Sequence, residues 1–456
     1  MHLLECKEAV ATQESLRLSS PVSLTIEYGD QIALLSPNGG GKSLLVDLLL
    51  GNQALDRGEI QWYNRDGELG ISYKMYNYLE FRDTYGTSAD NQYFYQQRYS
   101  RSFQDDTMPM VNGKPLIALS SGELRRYHLE KAIATHPELL ILDNPYIGLD
   151  KDAREELTSM LTDIALKKET QIIIVVSRIK DIPPFINRII GMRNRTFLGD
   201  VNPDIFEHEN SDLQKVRAKA DSILKSSEKD VTSESEDIID MENLCINYGN
   251  KKVLDNVKWS VKRGEHWVLR GRNGAGKSTL LSVVCADHPQ SYACEFSLFG
   301  QMRGTGESIW DIKKRIGYFS PELHRSYYKP VSAMEIVSSG LTDSIGVYKE
   351  ITEIQSCLCQ DWMEVFGIKD LADKNFMKLS SGEQGLILLC RAFVKNPELL
   401  ILDEPFHGLD ESNRERVHTI IDAYCAVPSH TYIMVSHYAE EIPKEVDHVL
   451  DLTPKF

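Results

Sequence analysis

The sequence predicts an α/β protein built from two copies of one parallel-sheet domain in tandem, and three observations predict it. Segments repeat at a fixed distance: Leu119-Ser-Ser-Gly-Glu123 and Leu379-Ser-Ser-Gly-Glu383 stand 260 residues apart. The pairs ending at Asp143 and Asp403, each reading Pro-Glu-Leu-Leu-Ile-Leu-Asp, keep that offset, as do Gly148-Leu-Asp150 and Gly408-Leu-Asp410. A period of this size marks a duplicated domain. Apolar runs at Leu139–Leu142, Gln171–Val176, Leu399–Leu402 and Thr431–Val435 suit strands buried on both faces. Gln31–Leu35 and His266–Arg270 are short runs that lead straight into glycine-rich turns. Helical stretches at Gly122–Thr135 and Gly382–Lys395 alternate with the strands, which calls for a parallel sheet flanked by helices.

The boundary between the copies is legible. Lys42 and Lys277 are offset by 235, so the second copy carries about 25 more residues between its first and second motifs. After Asp204 the chain turns polar through Glu207, Glu209, Ser226, Ser227, Glu228 and Ser233, a solvated linker with one helical stretch over Ser211–Leu224. Domain one is therefore expected over 1–205, an acidic linker over 206–238 and domain two over 239–456.

Composition excludes several classes. Hydrophobic residues make up 42% and charged residues 26%, values of a globular chain rather than a disordered or fibrous one. The net charge of −16 argues against nucleic acid as the main partner, because phosphate binding needs clustered Lys and Arg. No apolar run reaches 18 residues, and the N-terminus lacks a secretory signal, so any pore must come from another chain. Of the eight cysteines only Cys357 and Cys359 are close-spaced, which fits reduced, structural thiols in a cytosolic setting better than a zinc ribbon.

Gly271-Arg-Asn-Gly-Ala-Gly-Lys-Ser278 fits G-x-x-x-x-G-K-[ST] in full, after a strand and before an apolar helix start. Its glycines allow a tight turn with amides pointing inward at a phosphate, and the helix N-terminus adds positive dipole. Lys277 is placed to reach terminal phosphates and Ser278 to ligate Mg²⁺. The first copy reads Ser36-Pro-Asn-Gly-Gly-Gly-Lys-Ser43. Ser36 replaces the opening glycine, but Gly39, Gly41, Lys42 and Ser43 remain, so nucleotide binding is expected to survive.

With two such loops, two Leu-Ser-Ser-Gly-Glu segments and two Asp-x-Pro segments in one order, the chain resembles tandem ABC ATPases over nearly its full length. The second serine and the glutamate of Leu-Ser-Ser-Gly-Glu depart from that family's commonest signature. Longer phrases at Gly306–Gly317, Asp343–Gly346 and Val435–Pro443 resemble the branch associated with molybdate transport and labelled photorepair. The resemblance implies two ABC-type P-loop NTPase domains, each a mostly parallel core sheet with an antiparallel β part and a helical subdomain. It implies ATP and Mg²⁺ as ligands, each ATP sandwiched between one domain's P-loop and the other's signature. Site two would comprise Gly271, Asn273, Gly274, Gly276, Lys277, Ser278, Thr279, Asp403, Glu404 and His437, closed by Ser120, Gly122 and Glu123. Site one would comprise Ser36, Asn38, Gly39, Gly41, Lys42, Ser43, Asp143, Asn144 and Arg178, closed by Ser380, Gly382 and Glu383. Ser43 with Asp143, and Ser278 with Asp403, would hold Mg²⁺.

The two sites are not equal. After Asp403 stands Glu404, a carboxylate able to take a proton from an attacking water; after Asp143 stands Asn144, which cannot. Losing a general base typically costs roughly 10²–10⁴-fold in rate. His437 holds the family's γ-phosphate sensor position, where domain one has Arg178. Tyr248 lies 29 residues before Lys277, where the family stacks adenine, and the matching place near Gln13 has no aromatic. Hydrolysis is thus expected mainly at site two. The glutamine that usually follows the middle strand is not obvious, and Glu322 is the candidate to stand in for it.

The aromatic-rich stretch Tyr73–Tyr99, with Arg82, Arg98 and Arg101, could stack bases, but packing of domain one's helical part is the reading favoured. Trp310 is assigned to domain two's subdomain packing. Three roles follow: an ATPase beside a molybdate-type permease supplied by another chain, cytoplasmic or peripheral at the inner membrane face; a ribosome-acting factor; or a DNA-repair ATPase. A short acidic linker and the lack of a long coiled-coil insertion favour the first.

Overall fold

The structure, a computed structural model, describes residues 1–70, 75–81, 110–111, 114–115, 121–146, 149, 151–206, 213–226, 235–248, 251–271, 274–306, 308–327, 330–344, 351–436 and 441–452. Two compact units divide the chain, one built mainly from 1–85 with 108–210, the other mainly from 211–407 with 413–456.

In the first unit, β1 (His2–Ala11) pairs antiparallel with β2 (Val22–Glu27) and β4 (Leu55–Trp62). The second sheet contains β3 (Gln31–Leu35), β5 (Tyr76–Glu80), β8 (Leu139–Asp143), β9 (Gln171–Val176), β10 (Arg188–Arg193) and β11 (Thr196–Asp200). Its order is β11-β10-β3-β9-β8-β5, parallel except at the β11 edge. A two-residue hairpin, β6 (Met110–Val111) with β7 (Lys114–Pro115), stands apart.

The near-continuous apolar runs are explained by burial on both faces. Leu139, Ile141, Ile173 and Val175 pack with the helix Lys42–Leu49 and the antiparallel sheet. Leu140, Leu142, Ile172 and Ile174 pack with residues of the helices Ser121–Ile133 and Lys151–Lys167. Each such side chain contributes about 1.5–3 kcal/mol on burial, so both faces favour apolar residues.

The second unit repeats this plan. β12 (Asp237–Tyr248), β13 (Lys251–Lys262), β15 (Phe296–Leu298) and β16 (Gln301–Met302) form an antiparallel sheet in the order β13-β12-β15-β16. β14 (His266–Arg270), β17 (Ile316–Phe319), β18 (Leu399–Asp403), β19 (Thr431–Val435) and β20 (His448–Asp451) form a parallel sheet ordered β17-β18-β19-β14-β20. Taking β3 with β14, β5 with β17, β8 with β18, β9 with β19 and β10 with β20, the two parallel orders coincide. The extra residues of the second copy include the helices Ala333–Ser339 and Glu353–Val365, which pack with the helix Ser381–Phe393. Trp310 lies on the short helix Ile309–Lys313 and is half exposed.

The helix expected in the linker runs over Leu213–Ser226 and docks within the second unit, on Glu353–Val365. Val216, Ala220, Ile223 and Leu224, spaced for one helical face, are buried. Lys219 pairs with Asp361 at 2.9 Å and Glu364 at 3.1 Å. All eight cysteines are free.

Candidate functional site

In a parallel sheet every strand ends on the same edge, so the loops after β3, β8 and β9 converge. The first glycine-rich loop follows β3. Gly39 has φ 70° and Gly41, the N-cap of Lys42–Leu49, has φ 99°, a left-handed backbone that favours glycine. Lys42 is buried, its Nζ donating to Ser36 O at 2.6 Å, Pro37 O at 3.0 Å and Ser177 Oγ at 3.0 Å. Ser177 Oγ in turn donates to Asn38 Oδ1 at 3.1 Å. The loop is thereby folded around its own lysine, with Ser43 one residue on in the helix.

The described residues of the second loop follow the same pattern. Gly274 has φ 80° and Gly276 φ 95°, and Lys277 Nζ donates to Gly271 O at 2.6 Å. The loops differ at their start. Gly271 has φ 151°, and a Cβ there would lie 2.6 Å from Leu452 O and 3.2 Å from the Ala275 side chain. Ser36 has no positive φ, and its hydroxyl occupies the space that a Cβ on Gly40, the counterpart of Ala275, would need.

Beyond β8 and β18 the two units share one strained turn. Asn144 has φ 51° and Glu404 φ 49°, uncommon for non-glycine residues, and both backbone amides donate at 2.9 Å, to Val175 O and Val435 O respectively. What surrounds the preceding aspartate differs. Asp403 is buried beside Glu404 and Glu322; burial first, then those two charges, push its carboxyl well above the usual carboxylate range. Lys277 and a hydrogen bond from Ser278 pull it partly back. The Asp403 carboxylate and the Ser278 hydroxyl are the oxygens that could serve Mg²⁺, which takes carboxylate and hydroxyl oxygens readily. Glu322, in the first turn of the helix Pro321–Ser326, is thus near Asp403.

Around Asp143 the charge is met by donors instead. Tyr78 Oη donates to Asp143 Oδ2 at 3.0 Å, and Asn144 Nδ2 donates to Asp143 Oδ1 at 2.8 Å. Burial first, with the charges of Asp143 and Glu80, drives the Tyr78 hydroxyl far above its ordinary value, so it remains a donor.

After β9, Arg178 binds Asp181 through two bonds, Nε to Oδ2 at 2.8 Å and Nη2 to Oδ1 at 2.7 Å. Arg154 also reaches Asp181, at 2.6 Å, and lies over the Tyr146 ring. Burial alone would raise the Asp181 carboxyl, but Arg178 and then Arg154 hold it below the usual range. The second unit carries the same clamp: Arg414 pairs with Glu441 at 2.7 Å, both buried, over the Phe406 ring. Ser436 hydrogen-bonds Glu441 as well.

The segment Leu379-Ser-Ser-Gly-Glu383 starts a helix, and its departure from the usual signature has a local cause. Ser380 Oγ accepts from Glu383 N at 3.4 Å, while Glu383 Oε2 accepts from Ser380 N at 2.8 Å, a complete capping box. Gly382 is buried within that first turn. His324 Nε2 contacts Gln384 Oε1 at 3.1 Å, tying this helix to the one bearing Glu322. In the first unit the helix starts at Ser121, with Gly122 and Glu123 in its first turn.

Several expected residues lie outside the described ones: Ser120, Asn273, His437 and most of Tyr73–Tyr99. The side chain of Tyr248 is likewise not described, though its backbone ends β12. Tyr76 and Phe81 do serve packing, Tyr76 against Trp62 and Phe81 buried beneath Arg125. Among the described residues no group of three or more His, Cys, Asp and Glu side chains is placed to hold a metal ion by itself. The residues that sequence reasoning missed are Tyr78, Arg154, Asp181, Arg414 and Glu441. A signal for the clamp was present, because Arg154 with Arg414, and Asp181 with Glu441, keep the offset of 260.

Comparison with known proteins agrees with this doubled geometry. The ABC transporter family profile matches residues 19–147 and again 254–407. The chain is 34% identical to the ABC transporter ATP-binding protein ModF of Escherichia coli, across 94% of this chain and 93% of that one. It is 32% identical to an uncharacterized ABC transporter ATP-binding protein of Schizosaccharomyces pombe, with 84% and 80% covered. A third relative, from Saccharomyces cerevisiae, is 27% identical, with 81% and 75% covered. No helix among the described residues is long and apolar enough to cross a membrane. Two family matches in tandem, each with its own glycine-rich loop and strained acidic turn, mean that the chain belongs to the ABC transporter family and is an ABC-type ATPase with two ATP-binding domains.

Proposed function

We propose that the protein binds two ATPs and hydrolyses mainly the one at the second glycine-rich loop. The observation that carries this is the pair Glu404 and Asn144, alike in backbone and opposite in chemistry. At site two, Gly271, Asn273, Gly274, Gly276 and Lys277 hold the phosphates, Ser278 and Asp403 the Mg²⁺ side, and Thr279 the loop's end. Mg²⁺, when bound, offsets phosphate charge and fixes the oxygens for in-line attack. Glu404 accepts the proton of the attacking water, and His437 senses the terminal phosphate. Tyr248 stacks the adenine. Asn144 has no such acceptor, and Arg178 is already held by Asp181. Site one, with Asn38, Gly39, Gly41, Lys42 and Ser43, retains ATP as a slow clamp.

Steady-state ATPase of the purified protein tests this. Glu404→Gln is expected to lower turnover roughly 10²–10⁴-fold, while Asn144→Ala leaves most of it. Equal losses from the two changes would overturn the asymmetry.

The resemblance to ModF, and the phrases at Gly306–Gly317 and Val435–Pro443, support a place beside a permease for molybdate or a related oxyanion, supplied by another chain. Co-purification with a membrane permease is the expected result; recovery with ribosomes or damaged DNA instead would reject that role.

A further inference from the structure

The geometry points to a nucleotide site in the first unit that works without a bound metal: we propose that site one holds ATP independently of Mg²⁺, because Tyr78 and Asn144 already hydrogen-bond both oxygens of the carboxylate that would serve the ion. This rests on the reading that site one retains ATP. Both oxygens of Asp143 are engaged, Oδ2 by the Tyr78 hydroxyl at 3.0 Å and Oδ1 by the Asn144 amide at 2.8 Å. Asp143 is buried, so these two donors do the work that water would do outside. A cation approaching Asp143 would compete with these two half-buried donors for the carboxylate oxygens.

The second unit shows what the same position looks like when built for an ion. Tyr318 occupies the strand position of Tyr78, each paired across the strands with the isoleucine two residues before the aspartate. The Tyr318 hydroxyl feels the Asp403 charge but has its hydrogen bond with Ser320, whereas Tyr78 gives its hydrogen bond to Asp143. Asp403 keeps company with the charges of Glu404 and Glu322 as well as Lys277, and has a hydrogen bond from Ser278. In the first unit Asn144, a neutral donor, stands where the second has Glu404, and Glu80, two residues beyond Tyr78, is solvent-exposed while its charge still acts on the Tyr78 hydroxyl. With both oxygens of Asp143 accepting from neutral donors, Ser43 and Asp143 are less available to an ion than Ser278 and Asp403.

Equilibrium binding of a fluorescent ATP analogue to full-length protein tests this, using Lys277→Ala to leave only site one and Lys42→Ala to leave only site two. With EDTA in place of Mg²⁺, the Lys277→Ala protein is expected to keep its affinity within about twofold, whereas the Lys42→Ala protein loses about tenfold or more. Adding Tyr78→Phe and Asn144→Glu to Lys277→Ala is expected to create metal dependence, seen as Mn²⁺ retained with the nucleotide by paramagnetic resonance. If Lys277→Ala loses about tenfold on chelation, as Lys42→Ala does, the inference is overturned while ATP retention at site one stands. If Lys277→Ala binds no nucleotide in either condition, the retained-ATP reading itself fails and takes the inference with it.

Discussion

The hydroxyl of Ser36 fills the space that a side chain on Gly40 would need, and in the second loop the same contact is reversed, with Ala275 carrying the side chain and Gly271 the space. At this contact the two loops exchange which partner is small. Gly40→Ala alone is therefore expected to overpack the first loop and cost about 1–3 kcal/mol, seen as weaker nucleotide binding in a Lys277→Ala background. The double change Ser36→Gly with Gly40→Ala reproduces the second loop's pattern and should recover most of that loss. A double variant as weak as the single would refute the exchange.

Arg178 is a strut. Removing it with Arg178→Ala strips two charge-assisted bonds from Asp181 and should lower stability by about 1.5–3 kcal/mol. Because the paired Asp181 titrates below its unfolded value, its contribution is complete above about pH 4 and disappears as pH falls through the lowered folded value. The difference between wild type and variant in urea unfolding should thus be full at neutral pH and shrink in acid. No stability change at neutral pH would contradict the strut.

The linker helix holds by its apolar face rather than by its charges. Leu224 is almost fully buried, and Leu224→Ala should cost about 2–5 kcal/mol in chemical denaturation. Lys219, partly exposed in its pairs with Asp361 and Glu364, should cost no more than about 1 kcal/mol on Lys219→Ala. The reverse ranking would mean that the helix is held electrostatically.

His430 is buried and stacked on Tyr424 at 4.3 Å, and burial pushes its pKa down to about 4 from an ordinary 6.5. The unfolded chain therefore binds the extra proton first, so stability falls as pH drops through that window and levels off below it. His418, stacked on Phe406, is pushed down to about 4 in the same way. His430→Gln should make unfolding midpoints at about pH 7 and about pH 5 closer together than in wild type; an unchanged gap would reject this source of acid sensitivity.

By itself the sequence determined whatever is written locally. The apolar runs at Leu139–Leu142 and Leu399–Leu402 had to be strands buried on both faces, and the glycines at 41 and 276 had to punctuate a loop, because neighbouring residues alone impose those constraints. The contrast of Asn144 with Glu404 was equally legible, since it lies in residue chemistry at a repeated position. Tertiary structure decided what those residues meet. Tyr78 reaches Asp143 from another strand, Asp181 gathers Arg178 and Arg154 from two elements, and the linker helix finds its face on Glu353–Val365. Such contacts depend on strand order and register between segments far apart in the chain, which no local pattern records. The sequence told that Asn144 stands where the other copy has Glu404; the fold showed that this amide, with Tyr78, hydrogen-bonds the aspartate.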